Sequence, residues 1–190
     1  MELLKDKILK SGEIKKGNII KVDSFLNHQL DVQFLDQMGK EIYEHFKEKG
    51  ITKILTIEAS GIALAVIAAK YFGDIPVVFA KKSRSANISE DVYSSKIQSF
   101  TYKKDYTVTV SKQFLHPEDR LLILDDFLAE GNALRGLIDV ANQAGGEVCG
   151  CAVGIEKGFQ GGGDRIREEG VDLLSLAIIE NIDKGKITFR

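Results

Sequence analysis

The sequence predicts an α/β fold, with a mainly parallel central sheet flanked by helices, in a single domain spanning residues 1–190. Three observations carry this expectation. Strand-like and helix-like segments alternate along the chain, and such alternation builds a parallel sheet through crossover connections. Leu121, Leu122, Ile123 and Leu124 form a continuous apolar run, as a strand covered on both faces requires. Hydrophobic residues make up 44% of 190 positions, enough for one core of ordinary domain size and too few for two.

Residues 1–10 are charged and amphipathic, without the apolar stretch of a signal peptide, and no later run is long enough to span a bilayer. A cytoplasmic protein is therefore expected. Phe34, Leu35, Met38, Ile42, Tyr43 and Phe46 recur at helical spacing, and Gly50 closes that helix. Residues 53–58 read as a strand, Ala59, Ser60 and Gly61 as a turn, residues 62–72 as an apolar helix and residues 75–80 as the next strand. Residues 93–111 differ. There Tyr106, Val108 and Val110 alternate with polar positions, the mark of a half-exposed antiparallel β-hairpin, which is expected to be flexible. After residues 121–124, Ala133, Leu134, Leu137, Ile138 and Ala141 follow helical spacing up to Gly145 and Gly146. Residues 148–156 and 171–179 read as further buried strands, separated by a glycine-rich segment at 158–163 and a short polar helix at 164–169. An open sheet of this kind takes its ligands at the carboxyl ends of the strands.

Charge and cysteine content narrow the functional classes. With 26 basic and 28 acidic residues the net charge is -2, so no general basic field draws the chain to nucleic acid or anionic lipid. An anionic substrate must be caught locally. Cys149 and Cys151 stand two apart in an apolar run, which points them to one face of a strand as buried thiols, and no neighbouring Cys or His completes a metal set. No protein-held metal is expected. His28, beside Asn27, reads as a hydrogen-bonding spacer or a general base, whereas His45 and His116 lack partners close in sequence and are assigned no chemistry.

The most informative window is residues 121–133. An apolar strand emerges with Asp125 and Asp126, and a short loop through Ala129, Glu130, Gly131, Asn132 and Ala133 leads into a helix. Backbone N–H groups at a helix start point outward with the positive end of its dipole, and Gly131 admits an anion close to the backbone. Asp125 and Asp126 can accept hydrogen bonds from the two hydroxyls of a ribose whose 5′-phosphate lies in that cradle.

Four apolar residues, two acids and a glycine-containing loop resemble the phosphoribosyl pyrophosphate (PRPP) signature of type I phosphoribosyltransferases. Two further segments match that family in order. Glu58 to Ile62 resembles its pyrophosphate loop, so Ala59, Ser60 and Gly61 are expected at the diphosphate, with an unusual cis peptide in the turn. Lys81 and Lys82, directly after the strand at 75–80, resemble the basic pair beside that diphosphate. The match departs at Glu130, Asn132 and Ala133, where many members carry hydroxyl residues; backbone amides remain to hold the phosphate, and Glu130 must turn away or accept from another group. Ala129 stands where hypoxanthine-guanine members carry an aspartate.

The resemblance implies a small hood, at about residues 1–30, that selects the base. Along essentially the full chain the sequence is similar to the members that act on xanthine. What this implies is a purine-salvage transferase joining xanthine to PRPP to give xanthosine 5′-monophosphate and pyrophosphate, without a covalent nucleophile, with Mg2+ bound through PRPP or pyrophosphate, and as a homodimer. Xanthine carries two carbonyls and ring N–H groups. Lys157 can donate to a carbonyl, Asn27 offers a donor and an acceptor, Ile20 can pack on the flat face, and Phe159 either stacks on the other face or anchors the core. Two alternatives stay open: another purine specificity, adenine or hypoxanthine-guanine, and a PRPP- or nucleotide-sensing regulator of the same fold.

Overall fold

The computed structural model describes residues 1–15, 19–83, 91–99 and 104–190. Its N-terminal part holds α1 (Glu2–Ser11), the short antiparallel strands β1 (Glu13–Lys15) and β2 (Ile19–Lys21), and a single π-helical turn, Asp23–Asn27. Leu4, Ile8, Ile20, Val22, Phe25 and Leu26 from this part are buried in the same apolar cluster as the main sheet. Next comes α2 (Val32–Phe46). Asp31 caps it by accepting from the Phe34 N–H at 3.1 Å, and Gly50, at φ 62°, ends the 3₁₀ turn that follows.

The main sheet is built from β3 (Lys53–Ile57), β4 (Val77–Ser83), β5 (Val92–Ser99), β6 (Lys104–Ser111), β7 (Arg120–Leu128), β8 (Glu147–Lys157), β9 (Leu173–Asp183) and β10 (Lys186–Phe189). Their spatial order is β10-β9-β8-β7-β3-β4-β6-β5. The five central strands, from β9 to β4, are parallel; β10 at one edge and the β5–β6 hairpin at the other are antiparallel. The mainly parallel sheet is therefore as the sequence predicts.

Helices cover both faces. α1, α2 and α3 (Ser60–Tyr71) pack on one through Leu35, Met38, Ile42, Leu64 and Ala68; α4 (Asn132–Ala144) packs on the other through Leu134, Leu137 and Val140, beside buried Val108 and Val110 of the hairpin. α5 (Gly162–Glu168) adds Ile166 to the second cluster. From β3 the chain moves to β4 on one side and later returns to β7, β8 and β9 on the other. The crevice between the carboxyl ends of β3 and β7 is thus the point where strand order reverses, and such crevices hold ligands.

Several boundaries differ from the sequence expectation for physical reasons. β4 continues through Lys81, Lys82 and Ser83 because these residues pair with Thr109, Val108 and Thr107 of β6, so the lysines lie within a strand and not after it. β7 likewise carries Asp125 and Asp126 inside its ladder, with Asp125 opposite Val153. The hairpin at 93–111 is present as β5 and β6; the connection between them lies outside the described residues. Cys149 and Cys151 do not share a face. The register slips between Leu121 and Leu122, and Cys149 packs against one apolar cluster while Cys151 is buried in the other. Both thiols are free, and burial pushes Cys151 up to about 12.

Gly150 shows how tightly β8 meets α2, since a Cβ there would lie 2.3 Å from Cε1 of the fully buried Phe46 ring and 3.0 Å from the Asp172 carbonyl. Neither the core ring nor the neighbouring backbone can yield cheaply. Gly150→Ala is expected to lower unfolding free energy by about 1–3 kcal/mol in urea titrations, with an unchanged denaturant slope.

Candidate active site

The crevice between β3 and β7 is lined by four pieces of chain. The first is the turn after β3, where the structure has a cis peptide between Glu58 and Ala59 and where α3 begins at Ser60. Glu58 is tied down twice: its N–H donates to the Ala80 carbonyl at 3.1 Å, and its carboxylate accepts the Lys82 N–H at 2.6 Å. Gly61 is required here. A Cβ at that position would lie 2.3 Å from Thr56 Oγ1 and 3.2 Å from Asp125 Oδ1.

The second piece is the end of β7. Asp125 and Asp126 are each only 6% exposed, so they are not the surface carboxylates that an acidic pair after a strand suggests. Asp125 Oδ1 accepts the Asp126 N–H at 2.9 Å. Burial first, then the charge and side chain of Asp126, push the Asp125 carboxyl well above the ordinary carboxylate range, while the Asp126 N–H and the positive charge of Lys82 oppose the shift.

The third piece is the loop from Ala129 to Ala133. Gly131, at φ 86°, occupies the N-cap of α4 and supplies no capping side chain, so the helix start presents backbone amides. Glu130 does not face an incoming phosphate as a bare charge, because Arg165 binds both its carbonyl (3.2 Å) and its carboxylate (3.4 Å). The loop rests on the glycine-rich segment. A Cβ on Gly162 would lie 2.1 Å from the Ala129 carbonyl, and one on Gly163 would lie 2.1 Å from Glu156 Oε1. Glu156 itself is fully buried and held by both arms of Arg167, at 2.7 and 3.1 Å, and by the Ser175 hydroxyl.

The fourth piece comes from the hairpin side. Lys82 Nζ lies 5.6 Å from the centroid of the Tyr106 ring, and the charge of Lys82 acts on Asp125. Burial and the charge of Asp125 raise the Tyr106 hydroxyl. Alternation along β4 turns Lys81 the other way, where it lines a groove with Val77, Phe79, Thr109 and Phe114. Of the two lysines, Lys82 is the one brought to the carboxylates.

The residues expected at the base are more dispersed. Lys157 ends β8, with its ammonium 5.7 Å from the centroid of Phe127, and burial lowers its pKa. Phe159 is 38% exposed, which leaves ring surface for a ligand. Ile20 is 5% exposed and belongs to the apolar cluster on which Phe127 packs, whereas Asn27 ends the π-helical turn on the surface. Sequence reasoning missed Thr56, Tyr106, Phe127 and Arg165. For Arg165 the signal was the unmatched Glu130, which called for a cation; the other three had no signal beyond their elements.

Comparison with known proteins agrees with this geometry. Residues 21–181 match the family described as "Phosphoribosyl transferase domain". A protein of Clostridium perfringens named xanthine phosphoribosyltransferase 1 is 54% identical over 190 residues, covering 100% of both chains. A xanthine phosphoribosyltransferase of Lachnoclostridium phytofermentans is 56% identical over 192 residues, covering 100% of this chain and 98% of that one. Among solved structures, an adenine phosphoribosyltransferase of Giardia lamblia, complexed with 9-deazaadenine, superposes with a TM-score of 0.76 at 26% identity, over 92% of this chain and 96% of that one. With a family match across most of its length, full-length relatives above half identity, and paired carboxylates beside a glycine-capped helix at the sheet's reversal point, the chain belongs to the phosphoribosyltransferase family.

Proposed function

We propose that this chain joins xanthine to PRPP, giving xanthosine 5′-monophosphate and pyrophosphate. The observation that carries the transfer chemistry is the meeting of Asp125, Asp126, Lys82, the turn at 58–61 and the start of α4 in one crevice. Support for xanthine comes from the full-length relatives and from Lys157, a half-buried cation beside Phe127 that suits a purine carbonyl.

In this reading the amides of Gly131, Asn132 and Ala133, with Ala129 and Glu130 shaping the loop, hold the 5′-phosphate. Asp125 and Asp126 accept from the ribose hydroxyls, and the amides of Ala59, Ser60 and Gly61 face the diphosphate together with Lys82. Lys157 and Asn27 hydrogen-bond the base; Ile20 contributes apolar wall and Phe159 a stacking ring. No side chain acts as a nucleophile. Catalysis consists of holding the purine nitrogen in line with the anomeric carbon and stabilising the departing diphosphate. Mg2+ carried on PRPP or pyrophosphate would supply charge neutralisation at the diphosphate. Asp125 and Asp126 are the carboxylates that would stand beside such a cation at the ribose end. The hairpin excludes water from the site.

The reading extends to cell compartment and assembly. Two free thiols suit the reducing cytosol, and among the described residues no helix is long and apolar enough to cross a membrane. Phe79 and Phe114, 40% and 51% exposed, line the groove that also holds Lys81 and are the face we assign to a homodimer contact.

Three outcomes test the proposal. In Asp125→Asn with Asp126→Asn, base-dependent pyrophosphate release is expected to be nearly abolished while the fold survives. A carboxyl whose folded pKa is raised costs stability as pH climbs from the unfolded value toward the folded one, so an amide at position 125 removes that cost at neutral pH; full turnover in the folded variant would sink the ribose assignment. PRPP with Mg2+ is expected to slow hydrogen exchange in β5 and β6, and equal exchange with and without ligand would make the hairpin structural only. Lys157→Ala is expected to cut kcat/KM for xanthine by about one to two orders of magnitude and to spare hypoxanthine, which lacks the oxygen at C2; equal losses for both bases would place Lys157 at the shared carbonyl or behind the loop.

A further inference from the structure

Thr56 is the next-to-last residue of β3 and is fully buried, yet among the described residues no group takes up its hydroxyl. Leaving a buried hydroxyl unpaired is unfavourable, and valine has nearly the same shape without that penalty. A buried orphan of this kind calls for a use in another state of the protein. The surroundings indicate which state. Thr56 Oγ1 and Asp125 Oδ1 lie 2.3 and 3.2 Å from the same point, the position a Gly61 Cβ would occupy, and Gly61 has no side chain to separate them.

We propose that the Thr56 hydroxyl is a reserve donor for Asp125, engaged when PRPP is bound, which makes Thr56 a positioning residue for the ribose carboxylate. The inference rests on the ribose reading of Asp125 given above. In the free protein Asp125 already accepts the Asp126 N–H, and its burial next to Asp126 favours the protonated acid, which does not need a second donor on that oxygen. The ionised carboxylate is the stronger acceptor for a ribose hydroxyl, and in that form the group needs stabilisation on its inner side. From β4, Lys82 acts on the carboxyl by charge, and from β6 Tyr106 lies within reach of that charge; on β3 the available donor is Thr56. The one rearrangement this requires is a turn of the Thr56 hydroxyl toward Oδ1, on the side that Gly61 leaves without a side chain. The interaction is made in the bound state and absent from the free one. Free-state stability is thus exchanged for affinity.

The test uses Thr56→Val and Thr56→Ser in the full chain, each alone and combined with Asp125→Asn. Thermal melting is read alongside kcat and the separate KM values for PRPP and xanthine. Thr56→Val is expected to melt no lower than the parent, to raise KM for PRPP roughly tenfold or more, the worth of one hydrogen bond to a charged group, and to leave KM for xanthine unchanged. Thr56→Ser is expected to restore the parent value. On the Asp125→Asn background, Thr56→Val is expected to add nothing, because its partner carboxylate is gone. A lower melting temperature in Thr56→Val, an unchanged KM for PRPP, failure of serine to rescue, or an additive effect with Asp125→Asn each overturns the proposal. If Asp125→Asn weakens PRPP while Thr56→Val does not, the reserve-donor role alone falls; if Asp125→Asn itself leaves PRPP unaffected, the ribose reading falls and takes the proposal with it.

Discussion

Two carboxyl groups on adjacent residues, both withdrawn from water at the end of one strand, set the terms for the rest of the site. Burying like charges side by side is unfavourable, and the protein answers by keeping Asp125 toward its neutral form, by giving its oxygen the Asp126 N–H, and by stationing Lys82 within electrostatic reach. Each answer needs chain from a different element. Lys82 comes from β4, beside Tyr106 from β6, and a Cβ on Gly61 at the start of α3 would lie 3.6 Å from the Asp125 Cα. The crevice is consequently assembled by the demands of a charge pair as much as by the topology that opens it.

Close backbone approach is the second organising feature. Gly61 fits between Thr56 and Asp125, Gly162 against the carbonyl of Ala129, and Gly163 against the carboxylate of Glu156. At all three positions an added methyl would strike something fixed. The glycine-rich segment, which in the sequence looks like a loop, is therefore a packed shim between the loop at 129–133 and the ion pair of Glu156 with Arg167. Gly131, at its positive φ, packs so close that a Cβ there would lie 3.4 Å from the Gly162 carbonyl, and Lys157 leads directly into the segment from β8.

Much of the fold was legible in the sequence, for identifiable reasons. Continuous apolar runs such as Leu121 to Leu124 belong to central parallel strands, and α2 and α4 carried strong one-sided patterns. The site was readable where chemistry is local, in the acidic pair, Gly131 and the turn at Gly61. What escaped depended on pairing between distant segments. The two lysines read as a strand end because nothing local reveals that β6 will take up their backbone, and the cysteines read as one-faced because the slip beside Leu122 is a property of two strands together. β10 was missed, since Lys186 to Phe189 gains its strand character from β9. His45 looked partnerless and in fact meets Asp172 at 2.9 Å, 127 positions away. Acidity after a strand also concealed how deeply Asp125 is buried, because burial is set by the neighbouring α3 and β8, not by the residue itself.

The divided pairing of β4 has a mechanical meaning. Its first half is bonded in parallel to β3 through Val77 to Ala80, and its second half is bonded antiparallel to β6 through Lys81 to Ser83. One continuous strand thus works as a beam with its root in the sheet and its far end in the hairpin, and Lys82 sits beyond the support. At that far end the Lys82 N–H is bonded to the Glu58 carboxylate, which ties the hairpin-paired half of the strand to the turn after β3. The hairpin, the Lys82 cation and the turn at Glu58 are therefore parts of one continuous piece of hydrogen-bonded backbone.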